Sequence, residues 1–156
     1  MDTLTIRPTS PADLEEILLH RRHMFYDMGH CDEAALNVMI KTSRPFMKRY
    51  LEEGSYRGWF AIAPDGKVAA GSGLILTPLV SGPFSPDQAY RAYLLNVYTY
   101  PEFRRRGLAR LLTQEAIDWC RNHNFKILWL HASDFGRSIY ESLGFVATNE
   151  MKLMIE

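Results

Sequence analysis

The stretch "LLNVYTYPEFRRRGLARLL", Leu94 to Leu112, changes its period in the middle. Up to Tyr100 it is an apolar and aromatic run of strand type; Pro101 ends that run, and from Leu108 the apolar residues recur at steps of three and four, the spacing of an amphipathic helix. The unit reads as strand, glycine turn, helix. A helix starting near Arg105 or Arg106 leaves its first backbone N–H groups without intrahelical partners and carries partial positive charge at that end. Such a turn can hold a phosphate group with its main chain alone. Gly107 would let the backbone approach an anion closely, small Ala109 keeps the next turn clear, and Arg104, Arg105 and Arg106 add charge around it.

The rest of the chain narrows what that turn serves. At 156 residues, 47% hydrophobic and 23% charged, the composition is that of a soluble globular domain, and one domain spanning 1–156 is expected. Lys+Arg and Asp+Glu balance at 18 each, so no overall field draws the molecule to nucleic acid or to an anionic membrane, and any anion binding must be local. The opening "MDTLTIRPTS" has no signal-type apolar core and no apolar run approaches membrane-spanning length, which leads us to expect a cytoplasmic protein. Cys31 and Cys120 stand apart and read as reduced thiols. His20, His23, His30 and Cys31 are the nearest approach to a metal cluster, but beside Arg21 and Arg22 they read as an ordinary polar helix face; no metal is expected.

Along the chain, "LTIRP" (Leu4 to Pro8) reads as a short strand, and Ser10-Pro11 opens a helix carrying Leu14, Ile17, Leu18 and Phe25 that breaks at Gly29. A second helix runs from about Asp32 to Glu53, with an interruption expected at Pro45. "YRGWFAIA" and "KVAAGSGLILTPLV" form a hairpin about Pro64-Asp65-Gly66. Ala89 to Tyr100 is apolar on both alternating faces, as befits a central strand covered on each side. After the helix that ends near His123 come a buried strand, "FKILWLHAS" (Phe125 to Ser133), a short helix "GRSIYESL" closed by Gly144, and one or two last strands in "FVATNEMKLMI".

The turn is neither G-x-x-x-x-G-K-[ST] nor G-x-G-x-x-G, so nucleotide loops of those types are unsupported. "YPEFRRRGLA" instead resembles the acyl-CoA-binding motif [RQ]-x-x-G-x-[GA] of the GCN5-related N-acetyltransferases, matched by Arg104, Gly107 and Ala109. Downstream, "SDFGRSIYESLGF", Ser133 to Phe145, is similar to that family's segment in which a short helix carries a tyrosine ahead of L-G-F; Ser133 stands where an asparagine is common. The resemblance extends in element order over essentially the whole chain. It implies an α/β (α+β) fold with a mixed, mostly antiparallel central sheet of six to seven strands flanked by about four helices.

It also implies an activity: acetyl transfer from the acetyl-CoA thioester to a primary amine of a small molecule or peptide, by direct attack in a ternary complex. The chemistry needs a neutral amine, although a lysine-like amine is mostly protonated below its pKa of roughly 10.4, and a proton for the departing thiolate. By resemblance Tyr140 is the general acid. No carboxylate occurs between Gln88 and Glu102, where several members place a glutamate on the central strand, so His131 and Asp134 are the candidates for base, beside a water chain near Tyr93 and Asn96. Acyl-CoA contacts are implied for Val97, Tyr98 and Thr99 on the strand, for Arg104, Arg105, Arg106, Gly107, Leu108, Ala109 and Arg110 in the turn, and for Ser133, Arg137 and Tyr140. The acceptor is placed near Arg22, Phe25, Tyr26, Asp27 and Asn149. The missing strand carboxylate leaves a second reading open, a non-catalytic acyl-CoA-binding sensor or assembly module. A homodimer is common in the family, and the loop Ser81 to Gln88 is available to one.

Overall fold

The computed structural model describes residues 4–155. Strand β1 (Thr5–Pro8) is followed by a 3-10 turn (Pro11–Asp13) and two helices, α1 (Leu14–Asp27) and α2 (Glu33–Glu53). Then come β2 (Tyr56–Ile62), β3 (Val68–Pro78), β4 (Tyr90–Thr99), helix α3 (Leu108–Asn122), β5 (Leu128–Leu130) and α4 (Arg137–Ser142). The strands form one sheet in sequence order, antiparallel throughout except for the parallel pair β4–β5. No described helix is long and apolar enough to cross a membrane.

Local chemistry accounts for most boundaries. The Asp13 carboxylate accepts the Ser10 backbone N–H at 2.8 Å and is gripped by both Arg7 terminal nitrogens (2.9 and 2.7 Å), which ties the start of the first helical segment to β1. Asp32 caps α2 through the N–H groups of Ala34 and Ala35. Pro45 does not interrupt α2, contrary to expectation. Buried Leu36 before it and buried Met47 and Leu51 after it hold one packed face continuous, and tertiary packing outweighs the single hydrogen bond that proline removes. In the β2–β3 hairpin Gly66 takes φ 85° and its N–H donates to the Ala63 carbonyl.

Two apolar clusters lie on opposite faces of the sheet. Ala61, Ala70, Leu74, Ala92 and Leu94 meet Leu108, Leu112, Ala116 and Cys120 of α3 on one side; Tyr56 and Phe60 meet Ile17, Leu18, Met47 and Leu51 of α1 and α2 on the other. Strand β4 is thus an interior strand covered on both faces, as its pattern implies, with β3 in the middle of the sheet.

Three expectations need correction. The sheet has five strands among the described residues, not six to seven, because Phe145 to Ile155 makes no ladder. Its alternating apolar residues have the propensity for a strand, but propensity becomes a strand only against an edge that accepts the backbone bonds, and Val146, Met151, Leu153 and Ile155 stay exposed. The run Phe125 to Ser133 contracts to Leu128–Leu130, since β5 can pair only where β4 is flat, opposite Ala92 to Leu94. Helix α3 starts at Leu108 rather than at Arg105 or Arg106, because Arg105 (φ 62°) and Gly107 (φ 76°) both hold left-handed backbone that no helix continues through.

Candidate active site

The geometry of the site begins with a defect in β4. The register between β3 and β4 slips between Gly71 and Gly73, so that Ser72 faces two residues, Asn96 and Val97, and Asn96 sits at φ 54°. Asparagine tolerates that left-handed conformation better than a β-branched residue would. One consequence is a change of face: Ala92 and Leu94 look toward α3, Leu95 and Asn96 both look toward α1, and Val97 returns to the α3 side. A second concerns β5, whose pairing with β4 stops at Leu94. From Asn96 to Thr99 no strand pairs with the β5-side edge of β4, although the Arg104 side chain takes the Thr99 carbonyl, and Tyr98 and Thr99 stay paired to Gly71 and Ala70 of β3.

That open edge leads into the N-terminus of α3. Gly107 is its N-cap residue and no side chain caps the helix, which leaves the first-turn N–H groups from Leu108 to Arg110 without capping partners, the Leu111 N–H being the first to find a carbonyl, that of Gly107. A side chain at position 107 would meet no atom within 4 Å, so the reason for glycine here is its positive φ together with open space in front of the helix end. The three arginines divide their tasks. Arg104 turns back, donating to the Thr99 carbonyl at 3.0 Å and pairing with Asp27 at the end of α1. Arg106 lies over the Phe103 ring with its guanidinium carbon 5.4 Å from the centroid. Arg105 is exposed and makes no ion pair among the described residues. Of these three, Arg105 is the one whose charge stands unengaged before the helix.

Arg110 binds the Ser142 hydroxyl at 2.5 Å and so ties α3 to α4. The loop before α4 is tight: the Gly136 N–H donates to the Ser133 hydroxyl at 3.1 Å, and a Cβ at Gly136 would lie 2.9 Å from the Tyr140 ring. Ser133 is thus engaged within its own loop, and Arg137 faces Glu141 one helical turn on (3.5 Å). Tyr140 packs against the α3-side core and Phe145, and burial raises its phenol above the ordinary value. It therefore stays protonated through the neutral range.

His131, two residues beyond Trp129 on the strand that pairs with β4, meets the Tyr93 hydroxyl through Nδ1. Tyr93 alternates with Leu94 and so belongs to the α1 side. The histidine and Tyr140 consequently lie on opposite faces of the sheet. Asp134 is exposed and makes no hydrogen bond or ion pair among the described residues.

On the α1 side the structure assembles what the sequence did not announce. Glu16, His20 and His23 recur at steps of three and four and turn toward the end of β4, while Asp27, one step further on, is exposed and pairs with Arg104. His20 is 1% exposed, its Nε2 3.1 Å from Glu16, and its ring packs edge-on to Phe60 and Tyr100 and tilted against Tyr98. The reading of this stretch as an ordinary polar face is thereby corrected. His20, with the Tyr100 hydroxyl at 2.8 Å, holds the Glu16 carboxyl below its usual range. Two glycines of β3 make the room: a Cβ at Gly71 would lie 2.6 Å from His20 Nδ1, and one at Gly73 only 2.1 Å from the Tyr56 hydroxyl. Next to them Arg21 donates to Asn96 Oδ1 at 3.0 Å, and Asn96 donates to the Tyr56 hydroxyl at 3.4 Å. The helical step of four from Glu16 to His20 was a legible signal; the reach of Arg21 across to residue 96 was not.

The residues expected around an acceptor separate. Arg22 binds Glu33 and Asn37 and so belongs to the α1–α2 contact, and Asp27 is taken by Arg104. Phe25 lines a cleft of about 530 Å³ between the end of α1 and the start of α2, with His30, Cys31, Ala35, Leu36 and Met39. Tyr26 is exposed, and Asn149 precedes Glu150, which anchors the C-terminal segment to Arg91 of β4 at 2.7 Å. Among the described residues no three His, Cys, Asp or Glu side chains come together as a metal site.

Comparison with known proteins gives this geometry a family. Residues 20–145 match the family described as "Acetyltransferase (GNAT) family". The crystal structure of a GCN5-related N-acetyltransferase from Ralstonia eutropha JMP134 is 32% identical, with a TM-score of 0.92, over 98% of this chain and 99% of that one. A predicted acetyltransferase from Clostridium acetobutylicum, solved with acetyl-CoA, superposes with a TM-score of 0.85 at 19% identity over 98% of this chain and 96% of that one. The [ribosomal protein bS18]-alanine N-acetyltransferase of Salmonella typhimurium is 42% identical over 57 residues, 35% of this chain and 38% of that enzyme's length. With the family match spanning most of its length and the open β4 edge meeting an uncapped helix end, the chain belongs to the GCN5-related N-acetyltransferase family.

Proposed function

We propose that the chain is a single-domain, acetyl-CoA-dependent N-acetyltransferase that moves an acetyl group to a primary amine of a small molecule or peptide by direct attack in a ternary complex. The observation that carries the reading is the junction of the open β4 edge with the uncapped N-terminus of α3. Main-chain groups of Val97, Tyr98 and Thr99 suit an extended amide-bearing arm, and the N–H groups of Leu108, Ala109 and Arg110 suit a pyrophosphate, with Arg105 adding charge. The donor set fits CoA: unpaired main-chain edge for its amides, helix end for its phosphates. When bound, acetyl-CoA supplies the activated acyl group.

The chain's own residues then have to move protons. Tyr140, held protonated by burial, donates from the α3 side to the departing sulfur. His131 takes a proton from the acceptor ammonium on the α1 side, leaving the neutral amine to attack the thioester, its ring oriented by the Tyr93 hydroxyl. His131 is preferred to Asp134 because it alone of the two is held by a second side chain. Replacing Tyr140 by Phe is expected to lower kcat about 100-fold with little change in the KM for acetyl-CoA, read by thiol release; an unchanged kcat removes the assignment. His131→Gln should flatten the low-pH limb of the pH–rate profile, and coincident profiles would remove the histidine.

A further inference from the structure

The α1 side of the open edge carries a cation whose charge is not compensated. Arg21 projects from α1 onto the bulge of β4, where Asn96 accepts one of its five N–H donors and the Phe25 ring lies 5.0 Å beneath it. No carboxylate of the described residues lies within ion-pair distance of it, although Arg22, next in the helix, pairs with Glu33, and Arg104 pairs with Asp27. The nearby acids are committed as well, Glu16 to His20 and Tyr100, and Asp32 to the first N–H groups of α2. Partial burial costs this guanidinium hydration and lowers its pKa, a cost that a purely structural tie to Asn96 would not require, because a neutral amide could make the same bond.

Position adds to this. Asn96 is the residue immediately before the open stretch Val97 to Thr99, and Phe25 both supports Arg21 and lines the apolar cleft toward Ala35, Leu36 and Met39. A charge, an apolar cleft and the reacting edge therefore follow one another along the face opposite Tyr140. We infer that Arg21, held by Asn96, is the anion-recognising residue of the acceptor site, and that the acceptor is an amine that also bears a carboxylate, of amino-acid type, with an apolar body for the Phe25 cleft. Polycationic acceptors such as polyamines would meet an unmatched positive charge here. This inference rests on the acetyl-transfer reading above, which left the acceptor's class open.

The test uses matched amines in three forms: hydrophobic α-amino acids, their amides, and their decarboxylated amines, each with acetyl-CoA and the full chain. The free acids should be favoured over the amides at least tenfold in kcat/KM. Arg21→Gln should lower kcat/KM about 10- to 100-fold for the acids and leave the amides within about twofold, while Arg21→Lys, which keeps the charge, should recover part of the loss. Equal turnover of acid and amide by the unmodified chain overturns the inference, as does an equal loss on both in Arg21→Gln. If no amine is turned over although CoA binds, acetyl transfer to small amines fails by itself, and calorimetric titration of the same acids and amides into the CoA-bound protein decides the site. Acids that bind where amides do not, and that lose binding in Arg21→Gln, uphold it; indistinguishable isotherms overturn it.

Discussion

The two faces of β4 are built on different principles. Toward α3 the strand presents Ala92 and Leu94 to Leu108, Leu112, Ala116 and Cys120, a dry apolar seam in which burial pushes the Cys120 thiol up to about 11. Toward α1, beyond the bulge, it presents Asn96, Tyr98 and, at its end, Tyr100 to Arg21, His20, His23 and Glu16, a face of rings and polar groups. The apolar face holds the helix whose uncapped end the proposed function assigns to phosphate. The polar face is crowded with rings because Gly71 and Gly73 let them lie directly on β3. Under that proposal stability and anion presentation sit on one side and recognition on the other.

If that division holds, substitutions on the two sides should separate in what they change. The largest effect is expected from Leu112→Ala, fully buried in the α3 seam, at about 3 kcal/mol of unfolding free energy in a denaturant titration, with the acid-over-amide preference untouched. A shift in that preference would mean that the faces are coupled. Gly107→Val should come next. A β-branched residue in left-handed backbone costs about 2 kcal/mol and obstructs the approach to the helix end, so the acetyl-CoA KM should rise about 30-fold or more.

Glu16→Gln probes the polar face. The Glu16 carboxyl is held below its unfolded value, chiefly by His20, so its contribution is complete above the ordinary carboxylate range and is lost as pH falls through the depressed folded value. The variant should be about 1–2 kcal/mol less stable at pH 7, with the difference closing on acidification below about pH 4. A gap that persists at low pH would assign Glu16 a packing role only. The smallest effect belongs to Arg105→Ala, an auxiliary charge at an exposed position, at about a threefold rise in the acetyl-CoA KM. A loss there larger than that of Gly107→Val would reverse the order of main chain and side chain at the phosphate site.

Legibility differed in the same way. The strand, glycine turn and helix around Gly107 could be read because period and backbone conformation are local properties, and the α3 seam follows from leucines and alanines three and four apart. The helix start was misplaced by two or three residues, since nothing local announces that Arg105 adopts positive φ. The alternation in Phe145 to Ile155 implied strands, yet a strand needs a neighbour, and the outer edge of the three-residue β5 offers few backbone groups to pair with. Arg22 and Arg104 each pair with a carboxylate, Glu33 and Asp27, whose proximity is a product of packing and could not be read locally.

By itself, then, the sequence determined the order of elements, the uncapped glycine-led helix and the tyrosine on the short helix after β5, because each depends on residues within a few positions of one another. Only the tertiary structure decided that Arg21 meets Asn96 rather than a carboxylate, which histidine meets the Tyr93 hydroxyl, and that a bulge forms at Asn96. Those contacts join residues 16, 21, 56, 96 and 131, and their geometry exists only once α1 has settled on the sheet and β5 has parted from β4.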